Sequence, residues 1–508
     1  MFTLISLIGM INHEMWRDEL QAWLIAVNSS SIPGLFQTLK YEGHPALWHI
    51  CLYVISRFTH NPIAMQLFHF SISVGSIYVF TRFSTFSKSH KVLFVFGYFP
   101  FFEYNLISRS YSLGILFIFL FCSLFPNRYR NYLILSVLLA LLANTSIFGW
   151  IISICLAMTL ILERIINRNA NKLNSFEQGK LALSLSIFMT SVMIAFVQML
   201  PPSDAQFHGN KGQQALQQSS SALLISVKHL SSTLLTVWKS YIPIPKLFEH
   251  DFWNTNILTA EAIPLSALAL ILSITLLFLS VILFIRKPII LFLYLSGTFS
   301  ILLFIHEVYL GYLRHYGHLF MLFLVCVWLS SYYKQSNILI EKMRVLESIK
   351  SFVAYISSRK IQYFTGILYI HAFAGIFAFS MDLIHPFSAS QEVASFIRNQ
   401  QLDKMLIVGS SDTAVSPLAA WLDREIYYPD IRRSASFVPW NDRQPVDSQG
   451  VLNQVSQLTT QNNTDVLLVL NYQLNLKKSD LTITELSRFD QSIVSSERYY
   501  LYLAQKNR

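Results

Sequence analysis

The chain reads as an α-helical polytopic membrane protein of about eleven transmembrane helices, followed by a small C-terminal α/β soluble domain. Three observations predict this. Hydrophobic residues make up 53% of the 508 and charged residues only 13%, with a mean hydropathy of +0.45, outside the range of ordinary soluble domains. The apolar residues come in separate blocks near the length needed to cross a hydrocarbon layer, about 20 residues each. After Asp382 the composition changes: residues 1–382 hold 26 Lys/Arg against 15 Asp/Glu, and residues 383–508 hold 12 against 13. The net charge of +10 therefore belongs to the membrane part, where orientation explains it, and nucleic acid is excluded as a partner.

Taken in order, residues 1–11 are apolar but too few to span alone, so either the helix continues through His13 to Trp16 or the true start lies upstream; with no basic flank or small-residue cleavage site they read as an uncleaved first span. If 14–27 is helical, Trp16, Leu20, Trp23 and Val27 form one stripe, with Glu14, Asp18 and Gln21 on the opposite face. This describes a helix in the membrane interface with its aromatics in lipid and Asp18 turned to water or a cavity. Residues 45–58, opened by Pro45 and closed by Arg57, are too short to span and read as an interfacial or re-entrant helix within a first outer loop of 13–61. Further spans are expected at 62–81, 91–104, 110–126, 131–146, 147–163, 181–200, 263–285, 289–306, 318–333 and 361–381, with a long outer loop at 201–262. Within that loop Gly209 to Ser221, rich in Gln and Ser, reads as a mobile stretch.

Beyond Asp382, the runs starting at Lys404, Asp465 and Tyr499 have the composition of short buried strands, and helical patterns fall at 389–400, 414–423 and 448–459. Residues 383–508 thus form an α/β domain. Gly409-Ser-Ser-Asp412 follows a strand where such folds bind ligands, although a plain βα turn has the same composition. Cys51, Cys122, Cys155 and Cys326 lie in apolar runs without a CxxC pair, so neither a disulfide framework nor a cysteine zinc site is indicated.

With the N-terminus inside, the inner connections collect 17 of the 26 basic residues of the membrane part, as the positive-inside rule requires. This orientation puts the C-terminal domain outside, and every segment with notable polar chemistry on the same outer face. Asp18, Glu42 and His44 lie in the first outer loop, Glu103 and Arg109 in the second, Asp204 and His208 in the long loop, and Arg314 and His315 in the last. Ionisable groups at this depth are costly and mark functional sites by default. The bland alternatives are an anchoring helix for Asp18, snorkelling cations for Arg109 and Arg314, and a solvated helix end for Glu103.

Trp16-Arg-Asp18-Glu19, then Glu42-Gly-His44-Pro45, then Glu103 and Arg109-Ser-Tyr111, resembles the GT-C superfamily of polytopic glycosyltransferases. The branch it is most similar to holds protein O-mannosyltransferases, the aminoarabinose transferase of lipid A and rhizobial lipopolysaccharide-core glycosyltransferases. The resemblance covers roughly residues 1–330. It departs from the pattern at Ser110, where relatives often have Pro, and at Ala46, where a second Pro is common. The resemblance implies an inverting transferase in a bacterial inner (plasma) membrane. Such an enzyme moves a sugar from a polyprenyl-phosphate donor to a lipid, glycan or protein hydroxyl at the extracytoplasmic face.

It implies Asp18 as the general base. Adjacent Glu19 completes the catalytic pair, about 100° around the helix, in a supporting or acceptor-binding role. Arg314 and Arg109 are candidates to hold the donor phosphate. Glu42, His44, Glu103, Tyr111 and His315 complete the expected substrate-binding set. The branch implies no cofactor. His44, His208, His306, His315 and His318 share a face with carboxylates and leave room for a divalent cation, but no HExxH spacing is present. A transporter or flippase of lipid-linked glycans is the rival reading. Against it, the charges gather at the ends of spans, whereas transporters place theirs near the midplane.

Overall fold

A computed structural model describes residues 1–167, 175–205, 222–259, 263–342, 347–474 and 481–506. The first part of the chain forms α1 (Phe2–Asn12), α2 (Arg17–Asn28), α3 (Ile32–Leu39), α4 (Leu47–Ser56), α5 (Ile63–Phe83) and α6 (Lys88–Val95). A π-helical turn follows at Tyr98–Glu103, then α7 (Tyr111–Leu124), α8 (Tyr132–Ala143), α9 (Ile147–Ile166) and α10 (Ser175–Met199). The second half of the helical part holds α11 (Ala222–Tyr241), α12 (Ile263–Phe284), α13 (Pro288–Glu307), α14 (Leu313–Ser330), α15 (Ile338–Lys342), α16 (Glu347–Ser358) and α17 (Lys360–Ile384).

Among the described residues, seven helices are long and apolar enough to cross a membrane, in α5, α9, α10, α12, α13, α14 and α17. Four shorter apolar helices accompany them: Phe2–Asn12, Leu47–Ser56, Tyr111–Asn127 and Tyr132–Ala143. The protein is thus a helical membrane protein with a small C-terminal sheet. Its membrane core is built from aromatic rings, with Phe80 against Phe94, Phe119 and Trp328, and Phe320 against Tyr241.

Three expectations are corrected. The stretch 91–104 is no continuous span: α6 ends at Val95, and the chain turns through Gly97 into the π-helical turn, which contains Pro100. A proline has no N–H to give and its ring crowds the preceding turn, which disfavours a regular helix across Pro100. The first helix stops at Asn12, with His13 extended.

The long outer loop contains a 20-residue helix, α11. His229 near its start hydrogen-bonds the carbonyl of His306 at the end of α13, while Tyr241 at its other end meets Tyr294 in the body of α13, 3.1 Å between hydroxyls. The chain then returns without helix, so that Asn254 Oδ1 accepts from Leu313 N at the start of α14. The segment enters the bundle and comes back out on the same side. His208 and the Gly209–Ser221 stretch lie outside the described residues.

The remainder alternates β1 (Leu406–Ser410), β2 (Ile426–Tyr428), β3 (Arg433–Ala435), β4 (Val466–Leu470), β5 (Leu481–Phe489) and β6 (Tyr499–Lys506) with α18 (Ser390–Asn399), α19 (Asp412–Leu422) and α20 (Ser448–Asn462). The sheet order is β3-β2-β1-β4-β6-β5, parallel at β2/β1 and β1/β4 and antiparallel elsewhere. Side chains alternate between two cores, as a strand's two-residue period dictates. Ile407, Leu467, Val469, Tyr499 and Leu501 pack under α18 and α19, while Val408, Val466, Leu468, Leu470 and Tyr502 pack under α20. Gly409-Ser-Ser-Asp412 is the turn from β1 into α19, with Asp412 held by Arg443 at 2.6 Å. Strands β2, β3 and β5 were not signalled by apolar runs: β3 and β5 are largely exposed edge strands.

This domain sits directly on α2. Ala420 and Trp421 of α19 join Trp23, Leu24 and Trp48 in one core, and Phe387 and Val494 enter the membrane core. The stripe of α2 that was expected in lipid is therefore covered by protein: Trp16, Leu20 and Trp23 are buried, and Val27 packs against them.

Candidate functional site

Helix α2 carries Asp18 as its second residue, and its N-terminus is held from three directions. Glu19, the third residue, reaches back so that Oε2 accepts from Trp16 N at 3.1 Å, the reciprocal arm of a capping box. Its Oε1 accepts from Ser108 N at 2.5 Å, tying α2 to the loop before α7. His13 lies between Glu19 (3.3 Å) and Asp382 of α17 (2.9 Å), and donates to both only as an imidazolium. The third direction is the C-terminal domain, where buried Glu497 Oε1 accepts from Arg17 N at 2.9 Å. A carboxylate at a helix N-terminus satisfies an orphan N–H and complements the helix dipole. Burial pushes Glu497 up to about 7, against the opposing pull of Ser388 and Arg17.

So placed, Asp18 meets three guanidinium groups. Arg314 Nη2 lies 2.9 Å from Oδ2, Arg109 Nη1 3.5 Å from the same oxygen, and Arg17 Nε 3.5 Å from Oδ1. Arg109 also donates to the Asp18 carbonyl at 2.6 Å. Burial raises the affinity of Asp18 for a proton, but Arg109, Arg314 and Arg17 outweigh it and hold the carboxyl below its usual range. Asp18 is therefore ionised at neutral pH. About a fifth of its side chain, 22%, is exposed, against 7% for Arg314.

Arg314 starts α14. Gly311 at φ +74 turns the chain into that helix, in a conformation that side-chain-bearing residues rarely take. Gly317 lets the helix approach Tyr104 and Phe99, and Tyr104 OH donates to the Arg314 carbonyl at 2.7 Å. The guanidinium lies over Tyr312, Trp16 and Trp253 at 4.9, 5.3 and 5.7 Å. Glu103 Oε2 accepts from Trp253 Nε1 (3.1 Å) and Tyr98 OH (3.2 Å), at the end of the π-helical turn.

His44 stands within electrostatic reach of Asp18 and Arg109; burial, aided by Arg109, drives it down to about 4, so it is neutral. Glu42 accepts from Gln21 Nε2 at 3.0 Å and from Trp440 of the C-terminal domain; its burial outweighs these bonds and raises it above the usual carboxylate range.

The structure thus brings together Asp18, Arg109, Arg314, Glu42, His44 and Glu103. Glu19 is fully buried with both oxygens given to protein partners, so it holds Asp18's helix and has no surface for substrate. Tyr111 and His315 lie against one another at 5.8 Å in a layer with Phe148 and His318, and His315 Nδ1 accepts from Tyr312 N. They support the start of α14 without touching Asp18. Glu14 precedes the helix and does not share a face with Asp18; it packs toward α18.

Sequence reasoning missed Trp253, Asp382, Glu497 and Trp440. Among the described residues no three His, Cys, Asp or Glu side chains gather as metal ligands. A groove of about 190 Å³ runs between α4, α8 and α10, and a cleft of about 240 Å³ lies between α2 and the C-terminal domain; neither is lined by Asp18. Set against known proteins, the chain matches no family model and no curated sequence.

Proposed function

We propose that this protein is an inverting glycosyltransferase that moves a sugar from a polyprenyl-phosphate donor to a hydroxyl of a lipid, glycan or protein acceptor at the extracytoplasmic face. The observation that carries the reading is the contact of Asp18 with both Arg314 and Arg109, at 2.9 and 3.5 Å, on three separate elements. This arrangement supplies an ionised carboxylate beside two cations, the two opposite charges that the reaction needs.

The acceptor O–H gives its proton to Asp18 as its oxygen attacks the anomeric carbon on the face opposite the phosphate. The bond from the anomeric carbon to the phosphate oxygen breaks, and its electron pair stays on the lipid phosphate, which gains one negative charge. Arg314 and Arg109 lie where that charge can be met. The same cations weaken Asp18 as a base while they are paired with it. A donor phosphate that draws them away returns basicity to Asp18 only when the site is loaded.

The C-terminal domain and the re-entrant α11 segment belong to this outer side, with the N-terminus inside. The bilayer is a bacterial inner membrane, and no cofactor enters the steps. The test is donor binding by purified protein. Arg314→Ala should weaken binding of a polyprenyl-phosphate sugar by about tenfold or more, the loss of one charge-assisted contact. Unchanged binding would remove Arg314 from the donor site.

A further inference from the structure

Three buried polar atoms on neighbouring residues have no partner among the described residues: Trp16 Nε1, Arg314 Nε and Glu103 Oε1. The residues that carry them are 4%, 6% and 2% exposed. Unpaired buried donors and acceptors are costly, and native structures keep few of them, often where a ligand or water belongs. These three are neighbours through one residue. Trp253 packs edge-on against Trp16, 4.8 Å between ring centres, lies 5.7 Å from the Arg314 guanidinium, and donates to the other oxygen of Glu103.

We propose that Trp16, Trp253, Glu103 and the Nε of Arg314 form the subsite for the donor's sugar ring, and that this subsite takes a neutral sugar. The proposal rests on the transferase reading and adds to it the class of sugar. A hydroxyl is both donor and acceptor, so hydroxyls on one ring can donate to Glu103 Oε1 and accept from Trp16 Nε1 and Arg314 Nε. The indole faces cover the apolar C–H face of a pyranose or furanose. Charge sets the class: Glu103 and Arg314 both border the subsite, so a charged sugar is repelled by one as it is attracted by the other and gains nothing net to offset its desolvation, a cost that a neutral ring does not carry. Trp253 is the wall that yields. It is the half-buried member of the group and lies on the non-helical return after α11, so a sugar enters by displacing its ring from Trp16.

The experiment uses the full chain in nanodiscs and measures binding of a bare carrier, undecaprenyl methyl phosphate, whose single charge matches that of a sugar-bearing diester, alongside undecaprenyl phosphate bearing glucose, mannose, galactose, arabinose, galacturonic acid or 4-amino-4-deoxyarabinose. At least one neutral-sugar carrier should bind about tenfold or more tighter than the bare carrier, the contribution of a few recovered hydrogen bonds. The acidic and amino carriers should bind no tighter than the bare one. Trp253→Ala and Glu103→Gln should each bring that neutral carrier to within about threefold of the bare carrier measured on the same variant. Trp16→Phe, which keeps the ring and removes only the N–H, should lose part of the preference and covers the case in which Trp253→Ala fails to fold.

Equal binding of bare and neutral carriers, or tightest binding of a charged one, overturns the subsite while leaving the transferase reading standing. Failure of every carrier to bind overturns both.

Discussion

Replacing Glu19 by Gln isolates what holds the catalytic helix, because the two side chains have the same shape. Glu19 Oε2 accepts from Trp16 N and faces His13 Nε2, and Oε1 accepts from Ser108 N. A carboxylate satisfies donors on both oxygens; an amide has one oxygen and one NH2, so whichever way Gln turns, an N–H of the protein faces another N–H. The loss is one hydrogen bond to a charged group, about 1.5–3 kcal/mol, plus an unsatisfied buried donor, about 1–3 kcal/mol. Together these come to about 3–6 kcal/mol. At roughly 2 °C per kcal/mol for a chain of this size, the melting midpoint of the purified protein should fall by about 6–12 °C. Intrinsic fluorescence during a thermal ramp in detergent reads this directly. A midpoint within about 1 °C of the parent protein would show that Glu19 bears no such load, and the bracing argument for Asp18 would fail with it.

Glu14 gives a pH-dependent prediction. Burial, and then Glu392, push it up to about 8 from an ordinary 4.5. Between those values the folded protein holds a proton that the unfolded chain has released, so this group's contribution to stability declines as pH rises from about 5 to 8. Glu14→Gln keeps the neutral form at every pH; its midpoint should gain on the parent's at pH 8 relative to pH 5, and a constant difference across that range would refute the burial argument. Glu497→Ala removes the acceptor of Arg17 N, a tie between the C-terminal domain and α2. Amide hydrogen exchange at the first turn of α2 should speed up by about tenfold or more, while α19, which packs on the same helix, keeps its protection. Exchange at that turn equal to the parent's would show that Glu497 does not hold it.

The membrane class, the separate α/β domain and the gathering of Asp18, Glu42, His44, Glu103, Arg109 and Arg314 were all legible in the sequence. The first two follow from composition, and the third from putting charged residues on alternate sides of apolar blocks. Periodicity also found the Trp16, Leu20 and Trp23 stripe. It could not say that α19 and Phe387 cover it, because a buried stripe looks the same facing lipid or protein. Helix α11 escaped notice because Lys228, His229 and Lys239 interrupt its apolar residues, and its hydroxyl-bearing residues instead bond inside the bundle, as Thr233 does with His306 and Ser240 with Phe320 N. Trp253 and Glu497 carry no local signal. Each acts across chain separations of 150 and 480 residues, at Glu103 and Arg17, and no spacing rule reaches that far.

The claim that Asp18 removes the acceptor's proton is tested most directly by Asp18→Asn in purified, folded protein, with transfer and donor binding measured on the same preparation. Asn fills the same space but has no basic lone pair. Turnover should fall by about 10²-fold or more, as expected for loss of a positioned base, while the donor binds at least as tightly because Arg314 and Arg109 lose a competing carboxylate. Transfer within about threefold of the parent protein's rate would contradict the assignment of Asp18 as the base, and with it the transferase mechanism proposed for this site.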